Sequence, residues 1–162
     1  MKFPTKLLQC DLERFGFLVP RGQGVTLLGS LFTSTIFPGR APADHVLLRN
    51  MIGGMLHPEV QHMDKDEMVR QVREDLHQTL KIDPQLTPSF QKVFRHEKAI
   101  PQYHVGHEQI KQRIRQAESR TSGFFASGNA IKGIGIIDCV REALPTAQNV
   151  NAFLEKQPPR PD

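Results

Sequence analysis

The stretch GFFASGNAIKGIGIIDCVREA, Gly123–Ala143, holds the residues whose types and spacing could do chemistry. Gly128, Asn129, Gly133 and Gly135 lie between an apolar run and an amphipathic repeat. Glycine lets the backbone approach a flat or charged group closely. A helix that starts just after the glycines presents unpaired N–H groups to that group. Strand, glycine turn and helix start together suit the electron-rich edge of a cofactor. A phosphate-binding P-loop is excluded, because Ile134 and Gly135 follow Gly133 where Lys and Ser/Thr belong. A dinucleotide fingerprint starting at Gly133 is excluded too, because Asp138 stands where its third glycine belongs. His104 and His107, or His57 and His62, could start a metal site, but neither pair has a Cys or carboxylate at a recognised zinc spacing. No metal is therefore expected. No Gly-x-Ser-x-Gly nucleophile motif is present.

The elements that must position these residues follow from hydrophobic periodicity. Gly123–Ala130 reads as a short buried strand and Ile134–Leu144 as a helix, with Ile136, Cys139, Val140, Ala143 and Leu144 on one apolar face. Pro145 is expected to kink or stop that helix near Arg141–Leu144, with a short helix following at Thr146–Lys156. Upstream, Phe15–Pro20 and Val25–Thr35 read as strands paired antiparallel across the turn Arg21–Gly24, the second of them central. Two prolines and a glycine make Phe37–Pro42 a loop, and His45–Ile52 a third strand closed by Gly53-Gly54. Asp64 and Glu67 form a capping box for a helix whose buried stripe is Met68, Val69, Val72, Leu76 and Leu80. Ser89–Phe94 reads as another strand, and Gly106–Ala117 as a helix with Ile110, Ile114 and Ala117 on one face. His107 is expected to make a structural hydrogen bond where the Gln102–His107 loop packs.

A chain of 162 residues, 38% hydrophobic and 23% charged, suits a globular protein with a real core. The net charge of +4 is compatible with an anionic ligand or an anionic membrane surface without indicating either. No basic tract or basic-aromatic array is present, so nucleic acid is not an expected partner. Cys10 and Cys139 suggest no disulfide framework, which points to a reducing, cytoplasmic setting. No apolar run approaches the ~18 residues of a membrane span.

The motifs themselves carry a family resemblance. GN-x3-GIGI-x-DC at Gly128–Cys139 occurs with FGFLVP (Phe15–Pro20), TIFPGRAP (Thr35–Pro42), LLRNMIGG (Leu47–Gly54) and AIPQYHVGH (Ala99–His107). In that order and approximate spacing the set resembles the C-terminal portion of the FAD-dependent protoporphyrinogen or coproporphyrinogen oxidases, in the flavin amine oxidase superfamily. It spans roughly Leu12 to Ala143.

The resemblance implies an α+β fold with α/β-like character. A mixed, largely antiparallel sheet would come from the substrate domain, and a strand–helix unit would complete an FAD-binding domain. By position, residues 1–11 would be an N-terminal extension and residues 12–105 part of the substrate domain. Residues 106–156 would be the C-terminal part of the FAD domain, and residues 157–162, with three prolines, a disordered tail. FAD is the implied cofactor, contacted by Gly128, Asn129, Gly133, Ile134, Gly135 and Ile136. A porphyrinogen is the implied substrate, lined by Phe15, Gly16, Leu18 and Met51, with Gly16 leaving room for a ring face. The implied reaction is oxidation of that substrate to the porphyrin in haem synthesis, with oxygen as acceptor. No general acid or base stands out as catalytic.

The family's Gly-rich dinucleotide unit, and an Arg expected to meet a substrate propionate, have no counterpart in these residues. The chain is therefore expected to need a separate segment carrying the Rossmann half, and alone to be inactive. The rival expectation is a non-catalytic remnant or split-gene subunit acting as an interaction module. Peripheral membrane contact fits the family, and self-association is expected if the flavin-facing surface is left bare.

Overall fold

The computed structural model describes residues 1–97 and 99–157, arranged as two compact units, Met1–Arg95 and His96–Asp162. The tail expected at residues 157–162 lies outside the described residues beyond Gln157. The architecture is α+β. In the first unit, β1 (Lys2–Pro4), β2 (Gly16–Leu18), β3 (Leu27–Phe32) and β4 (His45–Ile52) form one sheet in the order β1-β4-β3-β2. Every neighbouring pair is antiparallel, with Gly16 opposite Leu31, Leu31 opposite Arg49, and Gly29 between Leu18 and Met51. A single helical turn, α1 (Thr33–Ile36), links β3 towards β4.

One sheet face is buried under α2 (Lys65–Leu80). Phe3, Leu27, Phe32 and Leu48 from the strands meet Val72 and Leu76 from the helix, and Leu12 and Ile82 close the core. Burying each such side chain contributes roughly 1.5–3 kcal/mol. The capping box forms as expected: the Asp64 carboxylate accepts from the N–H groups of Asp66 and Glu67, and Glu67 accepts from the Asp64 N–H. Met68, Val69, Val72 and Leu76 are buried, while Leu80 is only partly so.

Asp75 also belongs to the buried face of α2, which hydropathy alone does not suggest. Its Oδ2 accepts from the N–H groups of Thr26 (2.9 Å) and Leu27 (2.8 Å), and its Oδ1 accepts from Gln71 (3.0 Å). A buried carboxylate survives because it is fully hydrogen-bonded. It also takes ladder donors away from the start of β3. That strand begins at Leu27 with a register shift between Leu27 and Gly29, later than the expected Val25. Beyond Phe32 the hydroxyls are engaged outside the ladder: Thr33 donates to the Leu31 carbonyl, Thr35 to the Leu12 carbonyl, and Ser34 accepts from the Leu47 N–H.

Ser89–Phe94 is not a strand. Only Phe90 bridges to Lys2, because β1 has three residues and its Pro4 has no N–H to continue a ladder. Beyond it, the Arg95 guanidinium ties the chain to the carbonyls of Gln61 and Met63.

The second unit contains α3 (His107–Arg120) and α4 (Ile136–Leu154). Gly123–Ala130 is irregular rather than a buried strand. No strand of this unit lies beside it among the described residues, so its donors turn elsewhere: Phe124 N–H to the Thr121 carbonyl, Ala126 N–H to Glu118. Nor does Pro145 stop α4, which runs through it as one 19-residue helix. The missing proline donor orphans one carbonyl. The helix holds on both sides, through the Thr146 hydroxyl on the Glu142 carbonyl (2.9 Å) and through Phe153, edge-on to Phe125 and against Gly123.

Candidate functional site

In the second unit, α4 starts at Gly135, whose carbonyl accepts from the Cys139 N–H (2.9 Å). Glycine offers no side-chain cap, so the N–H groups of Ile136, Ile137 and Asp138 find no acceptor among the described residues. These groups carry the positive end of the helix dipole. Asp138 turns its carboxylate to Arg141 (3.0 Å).

The turn leading into the helix is compact. Gly128 accepts from the N–H groups of Ile131 and Lys132. Its φ is +114°, and a Cβ there would meet nothing within 4 Å, so the space beside it is open. Gly133 (φ +76°) differs: a Cβ there would fall 2.5 Å from the Asp138 Cβ, so this glycine lets the turn pack on the first turn of α4. The Cys139 thiol donates to the Gly133 carbonyl (3.3 Å), and Lys132 pairs with Glu142 (2.7 Å).

Two aromatic side chains fix this turn from the other side. The Tyr103 hydroxyl donates to the Asn129 carbonyl (2.6 Å), and His107 Nε2 donates to the Ile131 carbonyl (3.0 Å). The rings stack at 4.2 Å and 9°. The structural hydrogen bond expected of His107 is present. Tyr103, which precedes α3 in an irregular segment, carries no periodicity or motif that would single it out from sequence. Nearby on α3, Lys111 and Arg115 hold the Glu108 carboxyl down at about 2 by hydrogen bonds and charge.

The first unit carries the other named residues. Gly16, Leu18 and Met51 share the sheet face opposite α2: Leu18 and Met51 flank Gly29, and Gly16 lies across from Leu31. Leu18 is exposed and Met51 partly buried. Phe15 precedes β2, is 69% exposed, and contributes its carbonyl to the Phe32 N–H. Gly16 has a further reason to be glycine. Its φ is +141°, and a Cβ there would collide with the Ser30 carbonyl of β3. Gly29, missed from sequence, is equally constrained, with a Cβ 2.5 Å from the Phe17 carbonyl. Among the described residues, no cluster of three or more His, Cys, Asp or Glu could hold a metal.

The second unit thus presents an uncapped helix start beside a glycine turn, and the first an antiparallel sheet with one face turned away from α2. The flavin-containing amine oxidoreductase family model matches residues 1–151, and the chain belongs to that family. The chloroplastic protoporphyrinogen oxidase of Nicotiana tabacum is 35% identical over 153 residues, 93% of this chain and 28% of the relative. Protoporphyrinogen oxidase 1 of Arabidopsis thaliana is 37% identical at the same coverage. Coproporphyrinogen III oxidase of Bacillus subtilis is 28% identical, over 94% of this chain and 32% of the relative. The crystal structure of a protoporphyrinogen oxidase homologue from Exiguobacterium sp. 255-15 matches with a TM-score of 0.76 at 25% identity, covering 96% of this chain and 34% of that one. The chain thus spans about a third or less of the length of these relatives.

Family membership implies FAD. The residues present fit such a group: open space at Gly128, bare N–H groups at Ile136–Asp138, and the exposed apolar side chains of Ile134 and Ile136. No helix among the described residues is long and apolar enough to cross a membrane.

Proposed function

We propose that this chain supplies part of the flavin contact and part of the substrate wall of an FAD-dependent oxidase that converts protoporphyrinogen or coproporphyrinogen to the porphyrin, with oxygen as final acceptor, in haem biosynthesis. The observation that carries this reading is the uncapped start of α4 beside the open space at Gly128. Bound FAD would supply the hydride acceptor. The residues' own work is electrostatic and steric. N–H groups at Ile136 and Ile137 stabilise negative charge at a ring edge. Gly128, Asn129, Gly133, Ile134 and Gly135 let that edge approach the backbone, and Tyr103 with His107 holds the turn in place. On the sheet, Gly16, Leu18 and Met51, with Phe15 beside them, offer apolar surface to a flat macrocycle. The adenine and pyrophosphate of FAD would be held by a Rossmann half on a further segment or chain, and the setting would be cytoplasmic.

A second reading, an interaction module, is favoured by one feature. Ile136, Ile137, Val140 and Leu144 of α4 are each more than 60% exposed, an apolar stripe that associates with a partner or with itself. Turnover separates the two. The chain is mixed with FAD and either porphyrinogen, with and without a polypeptide carrying the dinucleotide half, and porphyrin fluorescence is followed. Porphyrin formed above the rate of air oxidation, and lost on omitting this chain, supports the oxidase. Complex formation with no porphyrin supports the module.

A further inference from the structure

The sheet face opposite α2 carries a cation that the proposed substrate wall does not use. Arg49 lies on β4 two residues from Met51, and alternation along a strand puts both on that face. Register places Arg49 directly across from Leu31, which in turn lies across from Gly16. Arg49 is exposed and makes no ion pair among the described residues. Along the same face stand Leu18, Leu31, Leu47 and Met51, with Lys2 and His45 towards the β1 edge, and none of the residues that register assigns to it is acidic. The Arg49 donor fork meets no side-chain partner among the described residues and is free to pair with a carboxylate.

We propose that Arg49 binds a propionate carboxylate of the porphyrin ring that lies on this face. The inference rests on the porphyrinogen reading above and adds a specificity residue to it. A tetrapyrrole of that class is a flat apolar disc with carboxylates on its rim, and this face is an apolar platform with a cation in it. The arginine fork matches a carboxylate in bidentate fashion, and removing a charged partner of this kind weakens binding by roughly tenfold. Coproporphyrin carries propionates on all its pyrrole rings and protoporphyrin on only some, so the contact favours the former when ring orientation is random.

The test uses the full chain and stable porphyrins rather than the air-sensitive substrate. Soret-band titration with protoporphyrin IX, its dimethyl ester and coproporphyrin III is carried out on wild type, Arg49→Leu and Arg49→Lys, with circular dichroism confirming an intact fold. Expected is tighter binding of the free acids than of the ester by wild type, loss of that preference in Arg49→Leu, partial retention in Arg49→Lys, and weakening by salt for the acids alone. An unchanged acid-over-ester preference in Arg49→Leu overturns the role of Arg49 and leaves the porphyrinogen reading standing. Failure of wild type to bind any of the three overturns both.

Discussion

Asp75 brings a carboxylate into the core of the first unit and survives there by tying α2 to the start of β3. Replacing it with Ala orphans two backbone donors, one of them fully buried. Asp75→Ala is expected to cost about 3 kcal/mol, the scale of losing a charge-assisted acceptor from buried partners, measured by urea denaturation. Tyr103 works on a smaller scale. Its hydroxyl makes one exposed bond to the Asn129 carbonyl, so Tyr103→Phe should change stability by less than about 1 kcal/mol. It should still loosen the Gly128–Gly133 turn, seen as faster amide exchange there. Full protection of the turn in the variant would mean that His107 suffices.

Among the elements, α3 gives the clearest pH dependence. Glu108 titrates near 4.5 when unperturbed and at about 2 beside Lys111 and Arg115. Its folded pKa is depressed, so its contribution is present above about 4.5 and is lost as pH falls through about 2. Helicity followed by circular dichroism should decline across that window, and Glu108→Gln should flatten that part of the decline. The pair is exposed, so added salt should shrink the effect.

The elements also show where local pattern is enough. α2 declares itself through the Asp64/Glu67 box and a regular apolar stripe, and β4 through a run closed by two glycines. Both lie where periodicity puts them. Gly123–Ala130 has a comparable apolar run but no strand beside it among the described residues, and a ladder needs a partner that hydropathy cannot reveal. Pro145 misleads in the opposite sense: α4 runs through it, with the Thr146 hydroxyl bonded to the Glu142 carbonyl beside it and Phe153 anchoring the far end on Phe125. The glycines of the candidate site are legible as a cluster. Their separate jobs are not: Gly133 makes room for Asp138 and Gly16 for β3, while Gly128 alone faces open space. Arg49 shares the period-two face of Met51, but its charge interrupts the apolar run by which such a face is read from sequence.

At the scale of the whole molecule, the bare stripe of α4 has a consequence for handling. Sedimentation velocity should detect concentration-dependent association of the chain, and Val140→Lys, set in that stripe, should reduce it. A monodisperse wild-type monomer would remove the reason to think this face is an interface. The flavin contact is tested most directly by hydrogen–deuterium exchange on the chain with and without millimolar FAD. Slowed exchange concentrated at Gly128–Asp138, where the helix N–H groups stand free, is the expected result. Exchange unchanged across that turn, with or without slowing elsewhere, would contradict the assignment of the Gly128–Ile136 segment to the flavin.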